Sequence, residues 1–476
     1  ELRGLVALEP TLPYTFNQCE AYTREIVANV EARGVALGPR HAFLLERLVK
    51  EFVEMRDRPE DRWSKPVYTY REDERFAAFD VSVGASLERN PDQKKGEADG
   101  LALPRILVGF GHNVTLETSC RLVMAPERGN NVSDEKPSAR LRSYRGVTAE
   151  YERALLDASG SRWNARLGRE YLHWGSNLRE GLILSRTAGS LDHFGGRIEL
   201  GRFALSTFQA VLGSESKRRF AGHRLTVALP KGIFVGVAET VVYVGDMDYK
   251  YLMPLGVYYA QQFNEGTNKD NVLWSVDWKV PLRRGLMFLG EFLIDDFQYE
   301  RGENAGPDRL GLSLAADALL MIAGRELELS GGYTFVDKYT YGHSSWTQYV
   351  AGDGDARMNR LLGSPMGPDA DRGFVKGTFG VSRRASLTIE GVGTRYGAGS
   401  SLWNEYLLDW RSGMDNDPAF PSDPVLHVKY LSASLRYDLN HGSYISAGAW
   451  MRYRDRGADN VHGRENLGWL EVVLDL

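Results

Sequence analysis

The chain has 476 residues, a net charge of −5, a sequence pI of about 6.1 and a mean hydropathy of −0.35. This balance gives no basic footprint for nucleic acid, and no stretch approaches the roughly 18 consecutive apolar residues that a membrane-spanning helix needs. Glycine is abundant, at 51 residues, and aromatic residues make up 11% of the chain. Aromatic residues spread along the whole length are not typical of a disordered chain.

Only two cysteines are present, Cys19 and Cys120. They are too few for a disulfide framework or a zinc cluster. The chain starts on sequence of structured character with no signal-peptide pattern. Composition therefore leaves open both a cytosolic protein and a processed, mature one.

The first part of the chain, up to about residue 62, has apolar residues at helical spacing. Thr15 can cap a helix through 20–31, and a second apolar stripe, over 43–53, follows Gly38 and Pro39. This periodicity predicts two amphipathic helices. No polar constellation accompanies either stripe, so we predict a small, non-catalytic helical domain over residues 1–65.

From about residue 74 to the end, apolar residues instead alternate with polar ones. In the stretch 431–439, for example, leucine, alanine and tyrosine alternate with serine, arginine and aspartate. A two-residue period predicts strands with one apolar and one polar face. The pattern places eighteen strands, over 75–88, 101–111, 114–126, 139–155, 162–174, 196–201, 203–213, 220–229, 233–244, 271–281, 285–297, 308–321, 325–338, 372–382, 385–396, 425–438, 443–454 and 465–476.

The connections between these strands are of two sizes that alternate along the chain. Very short ones, such as 230–232 and 440–442, take turns with long polar ones, such as 245–270 and 338–372. Outer-membrane barrels have short turns at one end and long loops at the other, and only a closed barrel leaves no unpaired strand edge in lipid. We therefore predict a mainly β protein, a transmembrane antiparallel β-barrel of about 18 strands over residues 74–476.

Two details bear on the strand count and on closure of the barrel. The strand at 196–201 is short, so we predict between 16 and 18 strands. The number is even if the first and the last strand have their chain ends on the same side of the membrane. The last strand has an apolar face that includes Leu470 and Leu474. Outer-membrane barrels usually close with such a strand ending in an aromatic residue, whereas this chain ends in Leu476.

The segment 166–193 combines glycines with many charged, histidine and tryptophan residues. We predict that about 175–195 folds into the barrel lumen. There it would either narrow a pore and contact a polar ligand, or fill the lumen as a plug whose charges pair with carboxylates of the wall. The candidate lumen residues are Arg169, His173, Trp174, Arg179, Arg186, Asp192 and His193.

Aromatic residues of the predicted long loops are candidates for binding sugars. Aromatic faces stack on pyranose rings, while neighbouring carboxylates and amides accept hydrogen bonds from hydroxyl groups. The alternative is the aromatic girdle of a barrel at the membrane boundary, which we predict for Trp274 and Trp278. The candidate glycan-binding residues are Trp346, Trp403, Tyr406 and Trp410.

No enzyme motif is recognisable in the sequence. A nucleophile elbow, a Walker loop and a His-Glu-x-x-His motif are all missing, and a Ser/His/Asp set drawn from the segment 166–193 would be arbitrary. The pairs Asp353/Asp355 and Asp415/Asp417 offer oxygen ligands but lack the spacing of a calcium loop. We predict a protein that is not an enzyme and that needs neither a cofactor nor a metal ion.

Four stretches of the sequence resemble the Wzi-type capsule-assembly family. They are GREYLHWGSNLREGLILSRTA and AGHRLTVALPKGIFVGVAETVVY in the barrel region, and LRGLVALEPTLPYTFNQCEAY and LLERLVKEFVEM near the start. The family carries a Trp-Gly-Pro-Gly element where this chain has Trp174-Gly175-Ser176-Asn177. The resemblance implies a distant member, with an outer-membrane barrel of about eighteen strands, a helical domain in the periplasm, and a role with capsular or extracellular polysaccharide.

Three functions remain open on the sequence alone. The first is a surface protein that binds or organises extracellular polysaccharide, and the second is a porin or exporter for small polar solutes. The third is a structural subunit of an envelope complex. The expected partners are outer-membrane lipid or lipopolysaccharide, extracellular polysaccharide, and periplasmic or envelope proteins that contact residues 1–65.

Overall fold

The computed structural model covers most of the chain. None of the helices it describes combines the length and the apolar character that crossing a membrane requires. The described residues are 5–12, 14–54, 67–90, 95–111, 113–124, 147–177, 179, 181–214, 216–265, 270–297, 306–344, 346–352, 360–400, 404, 407–411, 414–440, 442–456 and 461–475.

The N-terminal part forms two helices, as the apolar spacing predicts. Helix α1 spans Phe16–Arg33 and begins with a capping box, in which the Thr15 side chain accepts from the Gln18 backbone and the Gln18 side chain accepts from the Thr15 backbone. The helix ends at Gly34, whose φ of 56° suits glycine best. Helix α2 spans Pro39–Leu48 and continues as a π-helical turn over Val49–Glu54.

Eighteen antiparallel strands form one closed barrel, which confirms the predicted fold class, and one more short strand, Tyr68–Glu72, pairs with the first of them. The last strand pairs with the first, from Gly468 opposite Arg89 to Asp475 opposite Ser82. In chain order, the strands β1 to β18 are Arg75–Asn90, Lys95–Phe110, Val114–Met124, Val147–Ser159, Trp163–Tyr171, Ser190–Leu200, Phe203–Gly213, Arg218–Leu229, Ile233–Val244, Asn271–Arg283, Leu286–Asp296, Arg309–Ile322, Arg325–Val336, Ala370–Gly380, Ala385–Tyr396, Leu426–Asp438, Tyr444–Arg456 and Val461–Asp475.

Some strand limits differ from the prediction. The sixth strand is longer than predicted, because it starts at Ser190 and pairs with β5 as far as Tyr171. The fifth strand ends at Tyr171 rather than at 174, since the chain there turns into the lumen. The fourth strand is described over Val147–Ser159, so it ends later than the predicted 155, and its predicted start at 139 lies outside the described residues. The extra length of β6 supports the upper end of the predicted range of 16 to 18 strands.

Short and long connections between strands lie at opposite ends of the barrel. At one end, the short-turn end, neighbouring strands are joined by a few residues. Ala323 and Gly324, with φ of 49° and 75°, form one such turn between β12 and β13, a conformation that matches the twist of a hairpin. The opposite end, the long-loop end, carries long connections that include 245–270, 337–369 and 397–425.

The two faces of the barrel wall differ in chemistry. Outward-facing side chains include Leu167, Val375 and Leu431, which are 60%, 67% and 50% exposed. Inward-facing positions carry serine, glycine and charged residues, among them Asp277 and Glu291. This alternation of apolar outside and polar inside is that of a barrel embedded in lipid. Trp274 and Trp278 lie on the outward face, as the girdle prediction requires.

The helices lie against the short-turn end of the barrel. Phe16 and Phe52 pack on Phe76 and Leu107, which point inward from β1 and β2. His41 contacts Glu328 of β13 at 2.7 Å, and Arg40 pairs with Asp438 at the end of β16. The helical part therefore covers this mouth of the barrel through both apolar and charged contacts.

Candidate functional site

A segment between β5 and β6 enters the barrel and forms a plug, defined here as residues 172–189. Its Leu182, Ile183 and Leu184 are completely buried. They belong to an apolar cluster that includes Phe208 and Phe220, from the inward faces of β7 and β8. Residues 190–195, which the prediction included in the inward fold, are instead the start of β6.

A glutamate of the barrel wall holds the plug by its backbone. The amides of Leu182 and Ile183 donate to the two carboxylate oxygens of Glu291 in β11, each at 2.9 Å. A Cβ at Gly175 would lie 2.5 Å from the same carboxylate, and Gly175 has a φ of 113°. Glycine is therefore required where the plug passes closest to Glu291.

Two further polar side chains of the plug bind neighbouring strands. The Ser176 hydroxyl lies 2.6 Å from the carbonyl of Trp278 and 2.9 Å from that of Gly290. The Asn177 amide donates to the Ser313 hydroxyl at 2.9 Å. Because buried polar groups are costly without partners, these contacts fix the plug against β10, β11 and β12.

A fully buried ion pair lies in the wall beside the plug. Arg224 of β8 and Asp277 of β10 are both completely buried, and the guanidinium contacts both carboxylate oxygens, with one contact at 3.0 Å. Burial of two charges is tolerated only with such close, bidentate geometry. The lumen here is occupied by protein rather than left open to water.

Five of the seven predicted lumen residues lie inside the barrel or at its rim. Trp174 packs edge-on against Phe208, with ring centroids 5.0 Å apart. Burial, together with the charges of Arg186 and Arg224, lowers the pKa of His173 to about 4, so this imidazole is neutral at neutral pH.

The other three of these five lumen residues have different surroundings. Arg179 pairs with Glu390 of β15 and places its guanidinium 4.6 Å from the centre of the Phe374 ring. His193 lies 3.4 Å from Glu170. Arg186 is exposed in a short turn at the end of the plug.

Arg169 and Asp192 do not lie in the lumen. They pair with each other at 2.6 Å on the outward face, because Arg169 alternates in β5 with Gly168 and Glu170, which face inward. In the same register, Asp192 of β6 lies on the same face as Phe194, which is exposed on the outside of the barrel. The prediction treated the segment 166–193 as one unit, whereas its two ends are strands that alternate between faces.

The long loop between β13 and β14 closes over the plug with its described residues, 337–344, 346–352 and 360–369, which are called the roof loop. Tyr341 and Tyr349 are fully buried, and their hydroxyls donate to the carbonyls of Leu182 and Ile183 at 2.7 and 2.6 Å. Their rings are stacked 5.5 Å apart. These loop tyrosines therefore hold the plug and are not available to a ligand in solution.

The roof loop is fixed to the wall and to the 397–425 loop. Arg218 donates to the carbonyls of Trp346, Gln348 and Gly352, at 2.7 Å in the case of Trp346. Gln348 exchanges two hydrogen bonds with the backbone of Leu407, at 3.1 and 3.3 Å. The two loops thus form one connected surface at the long-loop end.

Two of the four predicted glycan-binding residues lie beside this junction. Trp346 is 58% exposed and lies two residues before Gln348. Trp410 is half-buried, lies three residues after Leu407, and its indole N–H has no hydrogen-bond partner among the described residues. Trp403 and Tyr406 fall outside the described residues.

The structure offers little for metal binding. Within the described ranges, no group of three or more histidine, cysteine or acidic side chains could hold an ion. Asp415 instead accepts the backbone amide of Asp417 at 3.0 Å. Asp353 and Asp355 lie outside the described ranges.

Sequence reasoning missed Glu291, the wall residue that holds the plug, and Arg224, which pairs with Asp277 in the wall beside it. A second missed group is a ladder of alternating charges across β2 to β5, in which Arg153 contacts Glu117 at 2.8 Å and Glu170 at 3.3 Å. In the sequence, the only sign of these contacts is an isolated charged residue within each predicted strand. Their partners become visible only once the strand register is known.

Comparison with known proteins supports the fold. No family model and no curated protein matches the chain. Among solved structures it resembles Wzi of Escherichia coli, an outer-membrane, carbohydrate-binding β-barrel involved in group 1 capsule assembly, with a TM-score of 0.63 and 11% identity over 99% of this chain and 95% of that one. This likeness in fold confirms the distant resemblance seen in the sequence.

Two porin structures resemble the chain more weakly. OccK2 of Pseudomonas aeruginosa, in complex with glucuronate, gives a TM-score of 0.49 and 10% identity over 84% of this chain and 98% of that one. A BenF-like porin of Pseudomonas fluorescens gives a TM-score of 0.46 and 11% identity over the same shares. The likeness to Wzi gives the chain the fold of a bacterial outer-membrane barrel.

Proposed function

We propose that the chain is a non-enzymatic protein of the bacterial outer membrane that binds or organises capsular or extracellular polysaccharide at the cell surface. The observation that carries this proposal is the filled lumen. The plug is held by Glu291 from the wall and by Tyr341 and Tyr349 from the roof loop. A barrel closed in this way presents a fixed outer surface rather than a passage.

The orientation follows from the same proposal. The long loops face the cell exterior, where the connected surface beside Trp346 and Trp410 meets polysaccharide. The short-turn end and the helical domain over residues 1–65 face the periplasm, where they can contact envelope proteins. Support for a carbohydrate ligand comes from Wzi, the carbohydrate-binding barrel whose fold the chain resembles.

A channel for small polar solutes is the second candidate. It is favoured by inward side chains of β16 and β17, such as Ser432, Trp450 and Arg454, which remain half-buried rather than sealed by the plug. In that case solute would pass along this side of the lumen. The plug then would act as a constriction.

One experiment on the purified full chain separates the two candidates. Single-channel recording in planar bilayers, with a general porin as a control, should show negligible conductance. Surface plasmon resonance against immobilised capsular polysaccharides should show binding that falls at least about tenfold in Trp346→Ala or Trp410→Ala, as expected when about 1.4 kcal/mol of stacking is lost. Trp163→Ala, an exposed tryptophan at the short-turn end, is the matched control.

A large stable conductance would favour the channel. Equal binding by wild type and both loop variants would remove the proposed glycan surface. A difference in migration between boiled and unboiled samples on a gel checks that each variant retains the closed barrel.

A further inference from the structure

The loop between β9 and β10 folds against the outside of the barrel. We call its residues 245–265 the flap. Tyr251 and Tyr258 of the flap are fully buried against Ala221, Val241 and Val272, which are paired across β8, β9 and β10. These three residues share a face with Leu225, Val237 and Val276, which are exposed on the outer surface further down the same strands.

The flap covers a polar patch on this outer face. Glu239 of β9 is 1% exposed, and its two carboxylate oxygens accept the backbone amides of Tyr258 and Tyr259, each at 2.8 Å, at the start of helix α3 (Tyr258–Glu265). His223 lies 3.1 Å from the same carboxylate. Gln209 is bonded to the carbonyl of Tyr251 and to the hydroxyl of Tyr243.

This polar patch lies at the depth of the membrane. A tilted barrel strand rises about 2.5 Å per residue along the membrane normal. Glu239 is six residues after Ile233, where β9 leaves the short-turn end, so it lies about 15 Å above that end, within an apolar band about 25 Å tall. A carboxylate facing lipid at this depth is strongly unfavourable, which explains why it needs a cover.

The free surface of the flap is apolar. Tyr249, Met253 and Leu255 are 84%, 63% and 78% exposed. Met247, Val257 and Tyr259 are also exposed. The described charged side chains of the flap lie toward its start, where Asp246 pairs with Lys217 at 3.2 Å and Asp248 pairs with Lys250 at 3.4 Å. The apolar surface continues downward into the exposed Leu225 and Val276 of the barrel wall.

We propose that the flap is inserted in the outer leaflet, where the side chains around Met253 and Leu255 contact the acyl chains of lipid while its inner face seals the patch of Gln209, His223 and Glu239. The partner is thus a lipid surface, and the contact is continuous with the lipid-facing wall. The inference rests on the outer-membrane placement in the proposed function, and not on polysaccharide binding.

Site-directed spin labelling of the full chain, reconstituted in vesicles of phospholipid and lipopolysaccharide, tests this inference. In a Cys19→Ala, Cys120→Ala background, a nitroxide is attached at Leu255→Cys, and its collision rates with oxygen and with a water-soluble nickel chelate are compared. Val375→Cys, on the outward face of β14, is the lipid-exposed reference. Asp417→Cys, exposed in the 397–425 loop, is the water-exposed reference.

The expected result is an oxygen-to-nickel ratio at Leu255 at least about tenfold above that at Asp417 and close to that at Val375. A ratio at Leu255 equal to that at Asp417, with Val375 in lipid, overturns the lipid contact while leaving the membrane placement intact. Water access at Val375 overturns the membrane placement itself. Spin–spin broadening at Leu255 would show that a second copy of the chain covers the flap, and it too would overturn the proposal.

Discussion

The plug and the flap both fold back on the barrel wall, one inside the lumen and the other outside. Each is held by a glutamate of a wall strand that accepts two consecutive backbone amides. Glu291 accepts those of Leu182 and Ile183 in the plug. Glu239 accepts those of Tyr258 and Tyr259 in the flap.

The difference between the two segments lies in what covers their other side. The plug is enclosed by protein, since the roof loop lies over it and Ile183 is fully buried. The flap has one free surface, on which Leu255 is 78% exposed. The same anchoring contact therefore stabilises a protein core in one place and a protein–lipid boundary in the other.

The largest expected effect comes from Glu291→Ala. It leaves two buried amides without acceptors, which lowers the free energy of unfolding by about 2–6 kcal/mol. We also expect the plug to be released and conductance to appear in planar bilayers. Glu291→Gln, which keeps one acceptor oxygen, should lose about half as much. If the Ala variant shows no conductance in planar bilayers and an unchanged unfolding temperature, the role assigned to Glu291 is wrong.

A smaller effect is expected from Glu239→Ala. The same two contacts are lost, but none of the described residues covers the outer side of the flap, so it can move toward the long-loop end, where its amides reach water, and the cost is about 1–3 kcal/mol. Hydrogen exchange at the amides of Tyr258 and Tyr259 should accelerate while the plug stays protected. Asp246→Ala, which removes only an exposed pair with Lys217, is the control and should change stability by less than about 1 kcal/mol. Protection unchanged in Glu239→Ala would mean that the flap is held by its tyrosines alone.

The smallest effect is expected from Asp192→Ala. The pair of Arg169 and Asp192 is on the outward face, and Arg169 is six residues after the start of β5. Without Asp192 the long Arg169 side chain can extend to the lipid headgroups, so the loss of the pair should cost about 1 kcal/mol. Conductance should stay at the wild-type level, because neither side chain contacts the lumen. A new conductance in this variant would restore the original prediction that both residues line the pore.

Much of the barrel could be predicted because the alternation of apolar and polar residues in a strand depends only on residues close together in the sequence. Leu431, Ala433 and Leu435 show by spacing alone which side faces lipid, and turn lengths show which end is which. The same rule applied to Leu167 and Arg169 would have placed both on the outer face. The glycine-rich, charged stretch that follows them has no such alternation, so the sequence does not show where the strand ends and the plug begins.

The parts that could not be predicted depend on contacts between distant residues. Glu239 interrupts the apolar series Val235, Val237, Val241 and Tyr243 on one face of β9, which signals a special environment without naming its partner. Tyr341 and Tyr349 read as loop aromatics and proved to be buried. Composition does not distinguish an aromatic residue that meets a ligand from one that closes a lumen.

The pairing of Thr11–Leu12 with His173–Trp174 has a mechanical consequence. From there, backbone hydrogen bonds continue from Trp174 to Leu184, from Ser185 to Leu362 and from Leu362 to Tyr349. A chain of backbone hydrogen bonds along the barrel axis thus connects the N-terminal segment with the opposite mouth of the barrel. A pulling force on the N-terminal segment would therefore be transmitted through the plug to the roof loop. The strands of the barrel wall would not have to slide against one another.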